Sequence, residues 1–178
     1  MVGNKKRMIN SNIDYFTGEY VSRQVKTWRR QYEASKTEEI ESMNKVMDWL
    51  AENLPEQTKT SVVHGDFRVD NLIFDKNDPS KVLAVLDWEL STLGDPLADA
   101  AYGCMAHYLP QDLKMLRGLK GLDLEALGIP TDTQYMKEYC KNVGIDPIKT
   151  WNYYLSFGFF RMAAICQGVY KRSLQSKL

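Results

Sequence analysis

One stretch constrains this 178-residue chain more than any other: His64-Gly65-Asp66-Phe67-Arg68-Val69-Asp70-Asn71, followed a little later by Leu86-Asp87-Trp88-Glu89. The apolar run Ser61-Val62-Val63 leads into the first aspartate. Leu72-Ile73-Phe74 and Val82-Leu83-Ala84-Val85-Leu86 have strand composition, and Asp75-Lys76-Asn77-Asp78-Pro79 between them is turn chemistry. A hairpin there returns the chain and brings Asp87 back beside Asn71. Asp66, Asn71 and Asp87 then converge on one small volume. Two carboxylates and an amide form an all-oxygen donor set, which suits a hard divalent cation such as magnesium.

An aspartate in a turn also serves simply to cap backbone groups. For Asp66 and Asp87 the recurrence of two such residues at this spacing favours chemistry. Asp70, Glu89 and Asp95 read as surface or capping groups, with Asp95 followed by Pro96 as N-cap and first helical residue.

The remaining composition excludes several classes. Formal net charge is zero and no basic patch calls for nucleic acid. Lys26, Arg29 and Arg30, the densest basic cluster, form the solvated face of an amphipathic helix. Cys104, Cys140 and Cys166 are odd in number, far apart and without metal-ligand spacing, so they read as thiols of a reducing compartment. His107 has no neighbouring His or Cys to make a metal site. Met1 to Arg7 is polar and opens no secretory signal. The most apolar region, Trp151 to Tyr170, is interrupted by Asn152, Arg161 and Gln167, which predicts a buried helix and no membrane span. Arg161 within it either pairs with an acidic group or extends its head to water.

At this length the chain reads as one domain, residues 1–178: a helical pair at 19–55, a catalytic loop and hairpin at 61–89, and a helical remainder at 95–175. Val21, Val25, Trp28 and Tyr32 share a helix face. Ser35-Lys36-Thr37-Glu38 reads as a capping box opening a second helix, with Ile40, Met43, Met47, Leu50 and Leu54 as its stripe and Pro55 as its end. Pro96 starts a helix through Met105. Residues 111–130 read as a long loop with short helical pieces, of the kind that is often functional. Asp132 caps a helix that stops at Gly144. A long helix after Pro147 buries Trp151, Leu155, Met162, Ile165 and Val169.

His64 to Phe74, Val85 to Leu97, Tyr20 to Val25 and Gly168-Val169-Tyr170 together resemble the aminoglycoside-phosphotransferase-like branch of the kinase superfamily. The likeness is closer still to the kinase-like domain fused to acyl-CoA dehydrogenases, and it covers nearly the whole chain. It implies an α+β, mainly α fold: the C-terminal lobe of a kinase-like protein, with a small β-hairpin carrying the site. Carried over by position, Asp66 is the catalytic base that takes the acceptor hydroxyl proton. Asn71 and Asp87 bind Mg2+ on the phosphates of ATP. Asp99 holds the catalytic-loop backbone from the start of a helix, and His64 packs and hydrogen-bonds locally without acting as the base.

A kinase also clamps its nucleotide with a glycine-rich loop and a strand lysine. Before Gly65 the only glycines are Gly3 and Gly18, and no strand carries such a lysine. The N-lobe is therefore read as absent, and the chain alone as inactive. The resemblance implies ATP-dependent phosphorylation of a small-molecule hydroxyl, with hydroxyacyl-CoA in fatty-acid breakdown as the substrate suggested by the fused relatives. An acyl-CoA dehydrogenase, or a partner supplying an N-lobe, is the implied protein partner. The alternatives are a non-catalytic acyl-CoA-binding or partner-binding module, and an inactive truncated fragment. The final Ser176-Lys177-Leu178 reads as a peroxisomal address, with cytoplasm or mitochondrion as the alternative if the chain is cut short.

Overall fold

The computed structural model describes residues 19–57, 59–113, 116–146 and 148–176. The polar amino-terminal residues, Pro147 and the last two residues of the Ser176-Lys177-Leu178 tripeptide lie outside them. Helix α1 (Tyr20–Ser35) buries Val21, Val25 and Tyr32 at helical spacing, with Trp28 partly buried on the same face. Helix α2 (Glu41–Glu52) buries Met43, Met47 and Leu50, while Leu54 beyond its end stays exposed. The predicted capping box at Ser35 does not form. Helix α1 runs through Ser35, whose hydroxyl donates to the Tyr32 carbonyl at 3.0 Å. Lys36 pairs with Glu33 at 2.9 Å and Glu39 at 2.7 Å, and the Thr37 hydroxyl accepts from Gln167. Those groups are thus engaged elsewhere, and α2 starts from Ile40 with no side-chain cap.

Strand β1 (Ser61–Val63) leads into the glycine-aspartate turn. Strands β2 (Leu72–Phe74) and β3 (Val82–Val85) form the predicted antiparallel hairpin, with Leu72 opposite Val85 and an irregularity between Ile73 and Phe74. Asp75 and Asp78 shape its turn by accepting from the backbone N–H groups of Asn77 and Ser80. A second two-stranded sheet was not foreseen. Strand β4 (Thr92–Gly94) pairs antiparallel with β1, with Val62 opposite Leu93. Only glycine fits at its end, because a Cβ on Gly94 would lie 2.6 Å from the Tyr20 ring.

Helix α3 (Pro96–Cys104) begins at Asp95, the predicted N-cap. Asp95 is no surface group, being only 2% exposed. Its carboxylate accepts from the Leu97 N–H at 3.0 Å and from the Tyr154 hydroxyl at 2.6 Å. Burial pushes this carboxyl up, and those two donors oppose the shift. A 3-10 turn, Met105–His107, continues the helix. His107 acquires partners that the sequence did not reveal: its ring nitrogens lie 3.0 Å from the Cys104 carbonyl and 2.8 Å from the Pro130 carbonyl.

Helix α4 (Asp132–Val143) is capped by Thr131 and not by Asp132, through a capping box with Gln134. Asp132 instead accepts from the Tyr108 hydroxyl at 2.9 Å and the Trp151 indole at 3.2 Å. Gly144 ends the helix in the left-handed region. Helix α5 (Trp151–Gln175) is the spine and packs on α1, α2 and α3. Its first half is core, including Trp151, Tyr154, Leu155, Phe157 and Phe160. The predicted burial does not continue. Met162 and Ile165 are half-buried and Val169 is 50% exposed, because that face borders a groove. Among the described residues no helix is long and apolar enough to cross a membrane.

The Asp95–Tyr154 bond joins the start of α3 to the middle of the core. Removing the hydroxyl in Tyr154→Phe leaves a buried carboxylate short of a donor and should destabilise the domain by about 1–3 kcal/mol. Urea denaturation should show a lowered midpoint with an unchanged slope; an unchanged midpoint would refute the role given to this bond.

Candidate functional site

The site is built on irregular backbone between β1 and β4. Gly65 adopts φ 87°, and a Cβ there would lie 2.8 Å from the Leu90 carbonyl oxygen, so only glycine serves this turn. Asp99, one turn into α3, anchors the turn from below. Its carboxylate accepts from the Gly65 N–H at 3.0 Å and, at close range, from the His64 N–H. Burial raises the Asp99 carboxyl, and the two backbone donors pull it back down.

His64 is 3% exposed and links the two halves of the site. Its Nε2 lies 2.6 Å from the Leu86 carbonyl, and its Nδ1 accepts from the Asp66 N–H at 3.2 Å. That arrangement places the ring proton on Nε2. The ring packs 4.8 Å from Trp88 and 6.1 Å from Phe67, centroid to centroid. Both nitrogens are engaged with backbone, so His64 has no face left for a reacting group.

Asp66 and Asn71 are joined directly. The Asn71 Nδ2 donates to the Asp66 carbonyl at 2.8 Å and to Asp66 Oδ2 at 3.2 Å. The amide oxygen of Asn71 accepts from no described residue. The hairpin then closes on this residue, since the Leu86 N–H donates to the Asn71 carbonyl at 2.8 Å. Asp87 follows at once in the left-handed region, φ 64° and ψ 50°, and is the only non-glycine residue with positive φ among those described. Its side chain is exposed and carries no hydrogen bond or ion pair to any described residue. A strained backbone that aims an unpartnered carboxylate outward is a common device of ligand sites.

Could these residues hold a divalent cation? Among the described residues no group of three or more His, Cys, Asp or Glu could do so unaided. Asn71 and Asp87 do offer an amide oxygen and a carboxylate, which is the hard-oxygen chemistry that magnesium takes when ligand phosphates complete its shell. The donor set therefore fits magnesium as a companion of a nucleotide and not as a protein-caged ion.

Three residues of the site were not singled out for chemistry by the sequence. Tyr102 on α3 lies near the Asp66 carboxylate, and burial, reinforced by that negative charge, pushes its hydroxyl up to about 12. Arg68 pairs with Asp70 through two guanidinium nitrogens, the Nε at 2.9 Å. Arg161 reaches from α5 to stack 4.9 Å from the Tyr102 ring and 5.3 Å from the Trp28 ring. All three are lone side chains scattered along the chain, and spacing gives no signal for them. With Asp66 they border a groove of about 570 Å³ whose other wall includes Leu90, Leu116, Met162 and Ile165. A second groove of about 520 Å³ continues past Tyr102 and is walled by Leu116, Leu119 and Ile129 of the 111–130 loop.

The sequence profile described as "Phosphotransferase enzyme family" matches residues 13–138. Mouse acyl-CoA dehydrogenase family member 10 is 57% identical over 166 residues, covering 92% of this chain and 15% of the relative. Mouse acyl-CoA dehydrogenase family member 11 is 43% identical over 158 residues, covering 87% of this chain and 20% of the relative. A crystal structure from Ralstonia eutropha that carries the description aminoglycoside phosphotransferase superposes with a TM-score of 0.84 at 44% identity. It is matched over 98% of this chain and 53% of its own length. The chain thus spans a fifth or less of those dehydrogenase relatives and about half of the solved one. The kinase-like fold expected from the sequence is the fold observed.

Without nucleotide, two protein oxygens should bind Mn2+ weakly. Asp87→Asn removes the exposed negative charge and should abolish that binding in an electron paramagnetic resonance titration. Equal affinity in wild type and variant would dismiss Asp87 as a ligand.

Proposed function

We propose, since this chain belongs to the phosphotransferase enzyme family, that it is the catalytic lobe of a small-molecule kinase using ATP and Mg2+. The observation that carries the reading is the pairing of Asp66 with Asn71 where the hairpin delivers Asp87. In this reading Asp66 is the base. An ionised carboxylate has about four acceptor positions. Asn71 uses one of them and fixes the group's orientation, which leaves acceptor positions for a hydroxyl in the groove that Asp66 lines. The acceptor oxygen attacks the γ-phosphorus as its proton passes to Asp66. A new oxygen–phosphorus bond forms, the bond to the departing ADP breaks, and the phosphorylated acceptor carries the group away. Asn71 and Asp87 would hold the cation, whose charge offsets that developing on the phosphate oxygens.

The acceptor class we favour is a hydroxyacyl-CoA. Two independent facts support it: an apolar groove opens beside Asp66, and the most similar relatives reported above are described as members of acyl-CoA dehydrogenase families. The clamp on the nucleotide is the missing piece. No described residue offers a glycine-rich loop or strand lysine above the hairpin, so the reading requires a second lobe, in the same polypeptide or from a partner.

Catalysis of this kind is mostly positioning and electrostatic stabilisation. A polypeptide of these 178 residues alone should therefore show no measurable phosphorylation of a hydroxyacyl-CoA. Joined to the amino-terminal part of the Ralstonia relative, it should release ADP in step with substrate phosphorylation. Asp66→Asn in that chimera should lower the rate by roughly 10²–10⁴-fold. Full activity in the Asp66→Asn chimera would remove Asp66 as base, and robust turnover by the single chain would remove the need for a second lobe.

A further inference from the structure

We infer that Arg161 reads the oxygen-bearing head of an acyl chain whose tail lies along the carboxyl-terminal half of α5. The inference rests on the acceptor side of the reading above, but recognition can be measured without any phosphoryl transfer.

Arg161 is an anomaly in its own helix. It stands one turn after Phe157 and next to Phe160, both in the core, yet it bears a permanent charge. Its guanidinium is caged between the faces of Trp28 and Tyr102. Ring faces attract a cation but supply no lone pair in the guanidinium plane. The Nε is buried with no hydrogen-bond partner, and the guanidinium donates to no described residue. Asp99 feels the Arg161 charge but spends its oxygens on the His64 and Gly65 N–H groups, and Asp66, on the same groove, accepts from Asn71. A fork of donors held rigid and left without an acceptor is poised for a planar oxygen group.

The surroundings say what else that ligand must be. From Arg161 the groove runs along Met162, Ile165 and Val169, one helical turn apart on α5, and faces Leu90 and Leu116. These side chains are the ones that the core leaves out. Arg68, the other cation on the groove, is already neutralised by Asp70. A guanidinium with no hydrogen-bonding acceptor among the described residues, set in an apolar trough, fits an aliphatic chain with an oxygen head: a carboxylate, or the carbonyl of a thioester. Asp66 lies on the same groove, so a hydroxyl on such a chain has a base within the same site. Arg161 is therefore a specificity residue for the acceptor and does not itself take part in bond making.

The test is a calorimetric titration of the 178-residue chain with three probes: octanoate, octanoyl-coenzyme A and 1-octanol. They share the tail and differ in the head. At least one acyl probe should bind about tenfold or more tightly than 1-octanol, as a charge-assisted hydrogen bond provides. Arg161→Met should erase that preference while 1-octanol binding stays unchanged. Arg161→Gln serves the same purpose where the methionine variant fails to fold. The probe that loses affinity identifies the head group, carboxylate or thioester. Asp66→Asn should keep the preference, which separates recognition from transfer: an acyl preference in the 178-residue chain together with no phosphorylation by the unsubstituted chimera would sink the kinase reading alone. Equal binding of all three probes to the wild type, or an acyl preference that survives loss of Arg161, overturns the inference.

Discussion

The site depends on one carboxylate below it. Asp99 receives the consecutive N–H groups of His64 and Gly65. Those two donors belong to a turn that Gly65 bends into a conformation other residues resist. With the turn fixed, His64 reaches across to the Leu86 carbonyl and Asp66 presents its side chain outward. Asp99 sits on α3, whose own start is pinned by Asp95 to Tyr154 of α5. The functional loop is thus tied by charge-assisted hydrogen bonds to the most buried part of the protein. Each such bond contributes about 1.5–3 kcal/mol, enough to hold a strained loop in one conformation.

Helix α5 divides its labour along its length. Residues up to Phe160 fill the core against α1, α2 and α3, and Tyr153 donates to the Leu50 carbonyl at 2.8 Å. Beyond Arg161 the core contact shrinks to Ala163 and Ala164, and the helix is tied at its edge by Gln167 to Ser35 and by Lys171 to Ala34. Its apolar face there is turned to the groove. The boundary between the two halves is the caged guanidinium, a charge that could not be placed in the first half without a buried partner.

What the sequence disclosed and what it hid follow from the range of the interactions involved. The return of the chain to Asn71 just before Asp87 was legible because one hairpin of ordinary turn chemistry makes it, and Leu72 pairs with Val85 just as the apolar runs suggest. The helices were legible from their stripes. Strand β4 was not, since three residues paired across about thirty others leave no local pattern. The cap of α4 was misplaced by one residue because Thr131 and Asp132 are both good caps, and only the reciprocal bond with Gln134 decides between them. Met162, Ile165 and Val169 were read as core because periodicity reports an apolar face without saying whether protein or ligand covers it.

That ambiguity at α5 is itself informative. A face with the periodicity of a core helix, exposed at Val169 and Tyr170, costs free energy in water unless something covers it. The hairpin shows the same tension, with Ile73, Phe74, Val82 and Leu83 exposed on β2 and β3. Val169 and Tyr170 line the groove that holds Asp66, and β2 follows directly on Asn71. In the proposed kinase reading, such apolar walls would exclude water from the reacting groups. The scaffold buries enough elsewhere to tolerate both, and between β1 and β4 it sets the strained, exposed Asp87 beside the buried His64, which bonds the Leu86 carbonyl one residue before it.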